Sequence, residues 1–296
     1  MDSNQNSSRN IQLGIAWAMF SAFCFTVMDA AAKQLVKEYH PIQIVFLRAI
    51  FAFIPVLIWV YCKSSFAELR TYQPLLHIVR SLMGFIALFC AIVGLKYLPL
   101  AEYTVICFTS PLFLTALSIP MLKEKVGWHR WLAVIIGFMG TLIIIRPGFE
   151  VFNIGVLFAL GTSISISLLI IFSRQISWTE SSASMVFWYS VISIIFALFF
   201  IPFYWETPSL THMFVFLVVG VVGGLAQLAM IESVRLAPPS VVAPFDYTSI
   251  LWATMFGYYF FAEIPQEYTV IGAAFIILSG LYILHRESQI NKKVKK

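Results

Sequence analysis

The chain has 296 residues, of which 60% are apolar and only 11% charged. A soluble domain is about a quarter charged, so the composition excludes an ordinary soluble protein and points to one that crosses a membrane many times. The net charge of +5 falls mostly on loops and the C-terminal tail, where it reports orientation rather than nucleic-acid binding.

Taken in order, the apolar segments predict ten helices, at roughly 11–33, 42–62, 75–95, 99–122, 128–146, 152–173, 182–204, 210–234, 239–261 and 267–285. Most are near the ~20 residues that span the hydrocarbon core. Only helices or closed barrels satisfy backbone polar groups there, and these runs are too long and too uniformly apolar for barrel strands. Turn residues mark the joints: His40-Pro41, Arg146-Pro147-Gly148, Pro208-Ser209, Pro238-Pro239 and Pro265. The first segment is too long for the core of a cleaved leader and reads as a retained span. Cys24, Cys62, Cys90 and Cys107 lie in or beside apolar runs without Cys-x-x-Cys spacing, which suits small packing residues.

With the N-terminus placed in the cytoplasm, thirteen Lys and Arg fall on inner segments and four on outer loops; Arg48 and Arg80 lie within spans. The bias predicts both termini inside. The tail lysines Lys292, Lys293, Lys295 and Lys296 then mark a positive cytoplasmic end within reach of anionic membrane lipid.

Residues 98–124 and 237–263 are related. Each begins with prolines, has a small and polar middle, and closes on a glutamate, Glu124 or Glu263. The chain therefore divides into two five-helix units, 11–146 and 150–286. Five is odd, so the second unit enters the membrane upside down. The expected fold is all-α integral membrane: ten transmembrane helices as two inverted five-helix repeats. Such duplications belong to secondary transporters with a site between the halves.

Several short motifs occur in a fixed order: Asp29 with Lys33, Phe46-Leu47-Arg48, Leu98-Pro99-Leu100-Ala101, Ser110-Pro111-Leu112-Phe113, and Lys123-Glu124 up to Trp128. The second half adds Ser240-Val241-Val242-Ala243-Pro244, Glu263, Gly272 and Gly280. In these the chain resembles the drug/metabolite transporter superfamily, in its EamA-type ten-helix family, and is most similar to the bacterial subgroup with riboflavin and S-adenosylmethionine carriers. The resemblance runs over residues 11–286 and implies secondary transport of a small organic metabolite by alternating access in a bacterial inner membrane. Ile250 stands where the first copy has Pro111, so the duplication is imperfect.

Ionisable groups within spans cost about 2.5–3.5 kcal/mol at the centre on insertion scales and have a reason to be there. Asp29 and Lys33 are four apart on one helix face; they read either as a structural ion pair or as a proton or cation site. Arg48 and Arg80 read either as carboxylate- or phosphate-binding guanidinium groups or as snorkelling or capping residues. Asp246 and Tyr247 follow Pro244, which frees a helical carbonyl, so both are candidates for substrate contact, Asp246 as a cation or amine site, against the alternative of a satisfied polar contact between helices. Asp29, Glu102 and Asp246 are the candidate proton-coupling groups. Trp188, Tyr189 and Trp252 are candidates for stacking on substrate, against the alternative of packing. Of Ser163, Ser165 and Ser167, spaced by two, at least one should face a cavity or a neighbour. Gly220 and Gly224 form a small-xxx-small pair expected to pack within a monomer, or else at a homodimer face. Glu124 and Glu263 are expected to be structural.

There is no phosphate-binding Gly-x-x-x-x-Gly-Lys motif, no metal-ligand spacing of histidines and no Gly-x-Ser-x-Gly elbow. Hence no catalytic residue, metal or cofactor is expected, and the partners are a small-molecule substrate and membrane lipid. The rival expectations are an exporter of drugs or metabolites with the same fold and, from another class, a membrane enzyme or lipid-handling protein.

Overall fold

The computed structural model describes residues 2–63, 69, 71–122, 128–145, 153–176, 180–237 and 239–294. Among the described residues all regular structure is helical: α1 (Asp2–Leu35), α2 (Pro41–Lys63), α3 (Pro74–Tyr97), α4 (Leu100–Cys107), α5 (Ser110–Leu122), α6 (Trp128–Ile145), α7 (Ile154–Ile176), α8 (Ser182–Leu198), α9 (Ile201–Tyr204), α10 (Leu210–Leu236), α11 (Pro239–Asp246), α12 (Thr248–Phe261) and α13 (Glu267–Val294). These fill the ten expected places, but three of the expected spans are broken: the fourth into α4 and α5, the seventh into α8 and α9, the ninth into α11 and α12. Residues 10–35, 41–62, 74–97, 100–118, 154–173 and 210–236 are long and apolar enough to cross a membrane, and 131–145, 184–198 and 267–282 are shorter apolar helices. Glu124, the expected counterpart of Glu263, lies outside the described residues.

The helix ends follow local chemistry. Proline opens α2 and α3, where a missing N–H costs nothing. Ser181 and Ser209 cap α8 and α10 by accepting from the backbone N–H of Ser184 and His212. At the end of α12, Ala262 adopts a left-handed conformation with φ 54°. The next residue, Glu263, sends its N–H back to the Gly257 carbonyl at 3.0 Å, closing a C-terminal cap. A side chain at that φ is disfavoured by about 1–2 kcal/mol. We therefore expect Ala262→Gly to raise thermal stability by about 1 kcal/mol, read as a higher midpoint in a detergent-solubilised melting series; an unchanged or lower midpoint would contradict the strain.

Apolar residues cover both sides of these helices, as expected where the surroundings are lipid. On α6, Leu132, Ile135, Met139 and Leu142 are exposed at helical spacing, while Val134, Thr141 and Ile144 are buried. That buried face meets α13, where Gly140 and Gly272 bring the two backbones close together.

Exchange of the two halves relates the inter-helix contacts. The two most extensive are α1 on α10 and α3 on α7, which interchange; α2 on α10 and α3 on α8 form a second such pair, and α1 on α12 and α5 on α7 a third; α2·α8 and α6·α13 map onto themselves. Individual contacts follow the same exchange. Gly14 of α1 packs on Ala237, and Gly155 of α7 packs on Leu98. The Ser21 hydroxyl donates to the Ala226 carbonyl at 2.9 Å, and the Thr162 hydroxyl to the Ala87 carbonyl at 3.4 Å. Gly223 lies under Met28 and the Arg48 guanidinium, and Gly84 lies under Leu169 and the Tyr189 ring. Gly220 and Gly224 pack inside the chain, against Phe51 and Pro55 of α2.

The breaks in the fourth and ninth spans obey the exchange as well. Tyr247 follows Phe108 by the interval that separates Glu263 from Glu124. Pro111 removes one backbone donor from the first break. The carbonyls left there accept from α7: Ser163 Oγ lies 3.3 Å from the Ile106 oxygen and 3.4 Å from that of Cys107, and Ser167 Oγ lies 2.7 Å from that of Ser110. Ser163 and Ser167 thus face the break together, one turn apart. The second break is capped by its own hydroxyls, Thr248 donating to the Phe245 carbonyl and Ser249 to that of Asp246. Non-helical backbone at membrane depth is tolerated where protein satisfies it in this way.

Candidate functional site

Asp29 of α1 is surrounded by protein on all sides yet retains accessible side-chain surface. Among the described residues it has no hydrogen-bond or ion-pair partner. The guanidinium of Arg48, on α2, acts on Asp29 through its field but does not reach it: Arg48 is buried, with Nε 3.3 Å from the Met28 sulfur. Gly223 makes room for that guanidinium; a Cβ there would stand 3.2 Å from Nε. Tyr103 and Cys107 of α4 face each other one turn apart, and both lie in the field of Asp29. The half-buried Asp29 carboxyl and the buried Arg48 guanidinium thus lie near each other without touching.

Asp246 occupies the other side of the helix breaks. Protein crowds around it while its side chain stays exposed, and no described residue pairs with it. Next to Asp246 in the chain, Tyr247 stacks with Phe108, with centroids 4.5 Å apart and planes inclined by 35°. Trp252 stands edge-on to Phe23 of α1 at 5.1 Å.

The expected Asp29–Lys33 pair does not form. Lys33 turns instead to Glu263, with Nζ 2.6 Å from Oε1, and donates to the Leu98 carbonyl. Glu263 Oε2 accepts from the Leu100 N–H at 2.8 Å. The i,i+4 rule describes an isolated helix; here a long lysine near the helix end finds a carboxylate from the other half. Glu102 belongs to this end too, accepting from the Thr269 hydroxyl at 3.1 Å.

Arg80 and Trp188 are held by the scaffold. Arg80 Nε donates to Ser173 Oγ at 2.7 Å and its Nη1 to the Met185 carbonyl at 3.0 Å, bridging α3, α7 and α8. The Trp188 indole N–H donates to the Leu69 carbonyl at 2.9 Å. Tyr189 is buried over Gly84, its hydroxyl 3.5 Å from the Gly84 carbonyl.

At the opposite end from Lys33, Glu180 clasps the segment before α3. Its Oε1 accepts from the Tyr72 N–H at 2.6 Å, the Thr71 hydroxyl at 2.9 Å and the Gln73 N–H at 3.3 Å, and Oε2 lies 3.5 Å from His77 Nε2. Burial pushes the Glu180 carboxyl up, but these donors and His77 more than offset it and hold the group below the usual carboxylate range. Because the folded value is depressed, the stability it contributes is full above about pH 4.3, the ordinary glutamate value, and is lost as pH falls through the folded value. Glu180→Gln should lower stability by about 2 kcal/mol at neutral pH, with the difference from wild type closing in acid; a gap that persisted at low pH would refute the charge-based account.

Phe108, Tyr103, Cys107 and the Glu180 clasp were not singled out by sequence. Phe108 had a signal: it is the partner of Tyr247 in the duplication.

Comparisons with known proteins concern the chain as a whole. The chain matches the EamA-like transporter family twice, over residues 12–146 and 153–285. It is 29% identical to the S-adenosylmethionine uptake transporter of Rickettsia bellii, covering 97% of this chain and 98% of that one. It is 27% identical to the riboflavin transporter of Vibrio cholerae serotype O1, covering 95% of each. A protein of known crystal structure shares the fold at a TM-score of 0.65 and 17% identity, over 96% of this chain and 99% of that one. A multi-pass helical chain with two matching halves, similar end to end to carriers of small metabolites, belongs to the EamA-like transporter family.

Proposed function

We propose that the chain is a secondary-active carrier that moves a small metabolite bearing an amino-acid group, of the S-adenosylmethionine kind, across a bacterial inner membrane by alternating access, with both termini in the cytoplasm. The observation that carries this reading is the gap between Asp29 and Arg48. An ionised group buried without a contact partner is costly. A zwitterion whose ammonium meets Asp29 and whose carboxylate meets Arg48 would neutralise both at once, and the guanidinium would offer two parallel hydrogen bonds. Asp29 holds either a proton or the ammonium, which provides a means of coupling substrate movement to a proton gradient. Tyr189, Tyr247 and Trp252 complete the substrate surroundings, while Arg80 and Trp188 hold the helices in place.

The units 11–146 and 150–286 are the moving bodies of this carrier, and two sets of contacts join them at opposite ends. Lys33–Glu263 ties α1 to the end of α12, and Glu180 ties the start of α8 to the segment before α3. Opening one end requires its tie to part while the other holds. The S-adenosylmethionine uptake transporter from Rickettsia bellii favours this substrate class over riboflavin, which carries no amino-acid group. The test is flux into liposomes containing the purified protein, with labelled S-adenosylmethionine, methionine, lysine and riboflavin. Saturable entry of an amino-acid compound supports the reading; entry of riboflavin alone, or of none of the four, overturns it.

A further inference from the structure

We infer that the Phe108–Tyr247 ring pair, with Asp246 beside it, is a second subsite of the carrier: a stacking surface for a planar heterocycle flanked by a carboxylate for an onium charge. Its ligand class is an organic cation that also carries an aromatic ring. The inference rests on the carrier function proposed above and deepens it.

Three observations meet here. Phe108 and Tyr247 are equivalent residues of the two repeats, and they touch each other, so they lie on the axis that exchanges the halves. When two similar halves trade conformations, residues off that axis trade environments, while residues on it keep theirs. A ring pair on the axis is thus available to a ligand from either side, which is what a carrier's fixed site requires. Both rings are only half-buried, in contrast to the buried Tyr103 one turn from Cys107. Both also sit where their helix is interrupted. Aromatic faces of this kind take planar rings and cations.

Asp246 supplies the charge. It is the residue before Tyr247, its side chain is exposed, and no described cation faces it. Its equivalent in the first repeat is Cys107, so the subsite is acidic on one side only, and a ligand lying across the rings has a defined direction. Asp29 and Arg48 take the amino-acid end; the rings and Asp246 take the ring and the onium centre.

The experiment measures competition against labelled S-adenosylmethionine on the purified full chain. The competitors are S-methylmethionine, which has the sulfonium and amino acid but no ring, and S-adenosylhomocysteine, which has the ring and amino acid but no sulfonium. Wild type should prefer S-adenosylmethionine over each by roughly tenfold, the scale of one stacking or one charge contact. Phe108→Leu should erase the preference over S-methylmethionine and keep that over S-adenosylhomocysteine; Asp246→Asn should do the reverse; and Phe108→Tyr, which keeps a ring, should behave as wild type and serve as the folding control. If wild type binds all three alike, or if Phe108→Leu and Asp246→Asn keep both preferences, the subsite is wrong while the carrier function stands. If wild type binds none of the three, both fall together.

Discussion

Arg48→Ala protein, reconstituted in liposomes, should take up an amino-acid substrate at least about 100-fold more slowly than wild type. Removing one partner of a buried charge pair costs about 3–5 kcal/mol, and each ~1.4 kcal/mol is tenfold. The loss should be specific for the carboxylate. Arg48→Lys keeps the charge but not the paired donors, so it should retain a small part of the uptake. Asp29→Asn separates two roles. If Asp29 carries the coupling proton, the variant loses uphill accumulation but still exchanges labelled for unlabelled substrate across the bilayer. If it only holds the ammonium, both modes fall together. Because Arg48 also packs over Gly223 and Met28, each variant needs a monodisperse elution profile before its flux is interpreted. Full uptake by well-folded Arg48→Ala would remove the zwitterion clamp from consideration.

What the sequence displayed and what it hid divide along a physical line. Span positions were legible because a bilayer demands a run of apolar residues, and a run is a local property. The duplication was legible because two closing glutamates and two proline-rich starts fall in the same order. The breaks at Phe108 and Tyr247 were hidden, and 99–122 and 239–261 read as continuous helices. Threonine and serine beside a proline suggest a break, but whether the freed carbonyls are satisfied depends on Ser163 and Ser167, which lie on another helix. Lys33 shows the same limit from the other direction. Its partner by spacing is Asp29 and its partner in space is Glu263, and no periodicity within α1 reports on the end of α12. Arg80 and Trp188 could be read as ligand groups or as packing residues, because a guanidinium can bind a carboxylate and an indole can stack on a ring. The Ser173 hydroxyl and the Met185 and Leu69 carbonyls that occupy them come from distant parts of the chain.

Breaking the Lys33–Glu263 tie should open the end of the protein that holds it. The contact is short and little exposed, and it joins the first half to the second at one end only. Lys33→Met leaves Glu263 with the Leu100 N–H alone, and Glu263→Gln leaves Lys33 beside a carbonyl and the Phe261 ring. Either change strips about 3–5 kcal/mol from the closed arrangement, enough to bring a population that starts near 99:1 in its favour to parity or beyond. Cys107 is a native reporter. It is half-buried at the central break, behind this tie, and Cys24, Cys62 and Cys90 can be replaced by serine to leave it as the sole thiol. In the proposed orientation, with both termini cytoplasmic, the Lys33 end faces outward, so a membrane-impermeant thiol reagent applied outside should label Cys107 slowly in this background. Labelling should be at least tenfold faster once Lys33→Met or Glu263→Gln is added. The double variant Lys33→Met/Glu263→Gln should label no faster than either single one, because the second change finds no contact left to break. Unchanged labelling in both single variants would show that the tie staples the fold without controlling access. Faster labelling from the inside instead would reverse the orientation and place Lys33 at the cytoplasmic mouth.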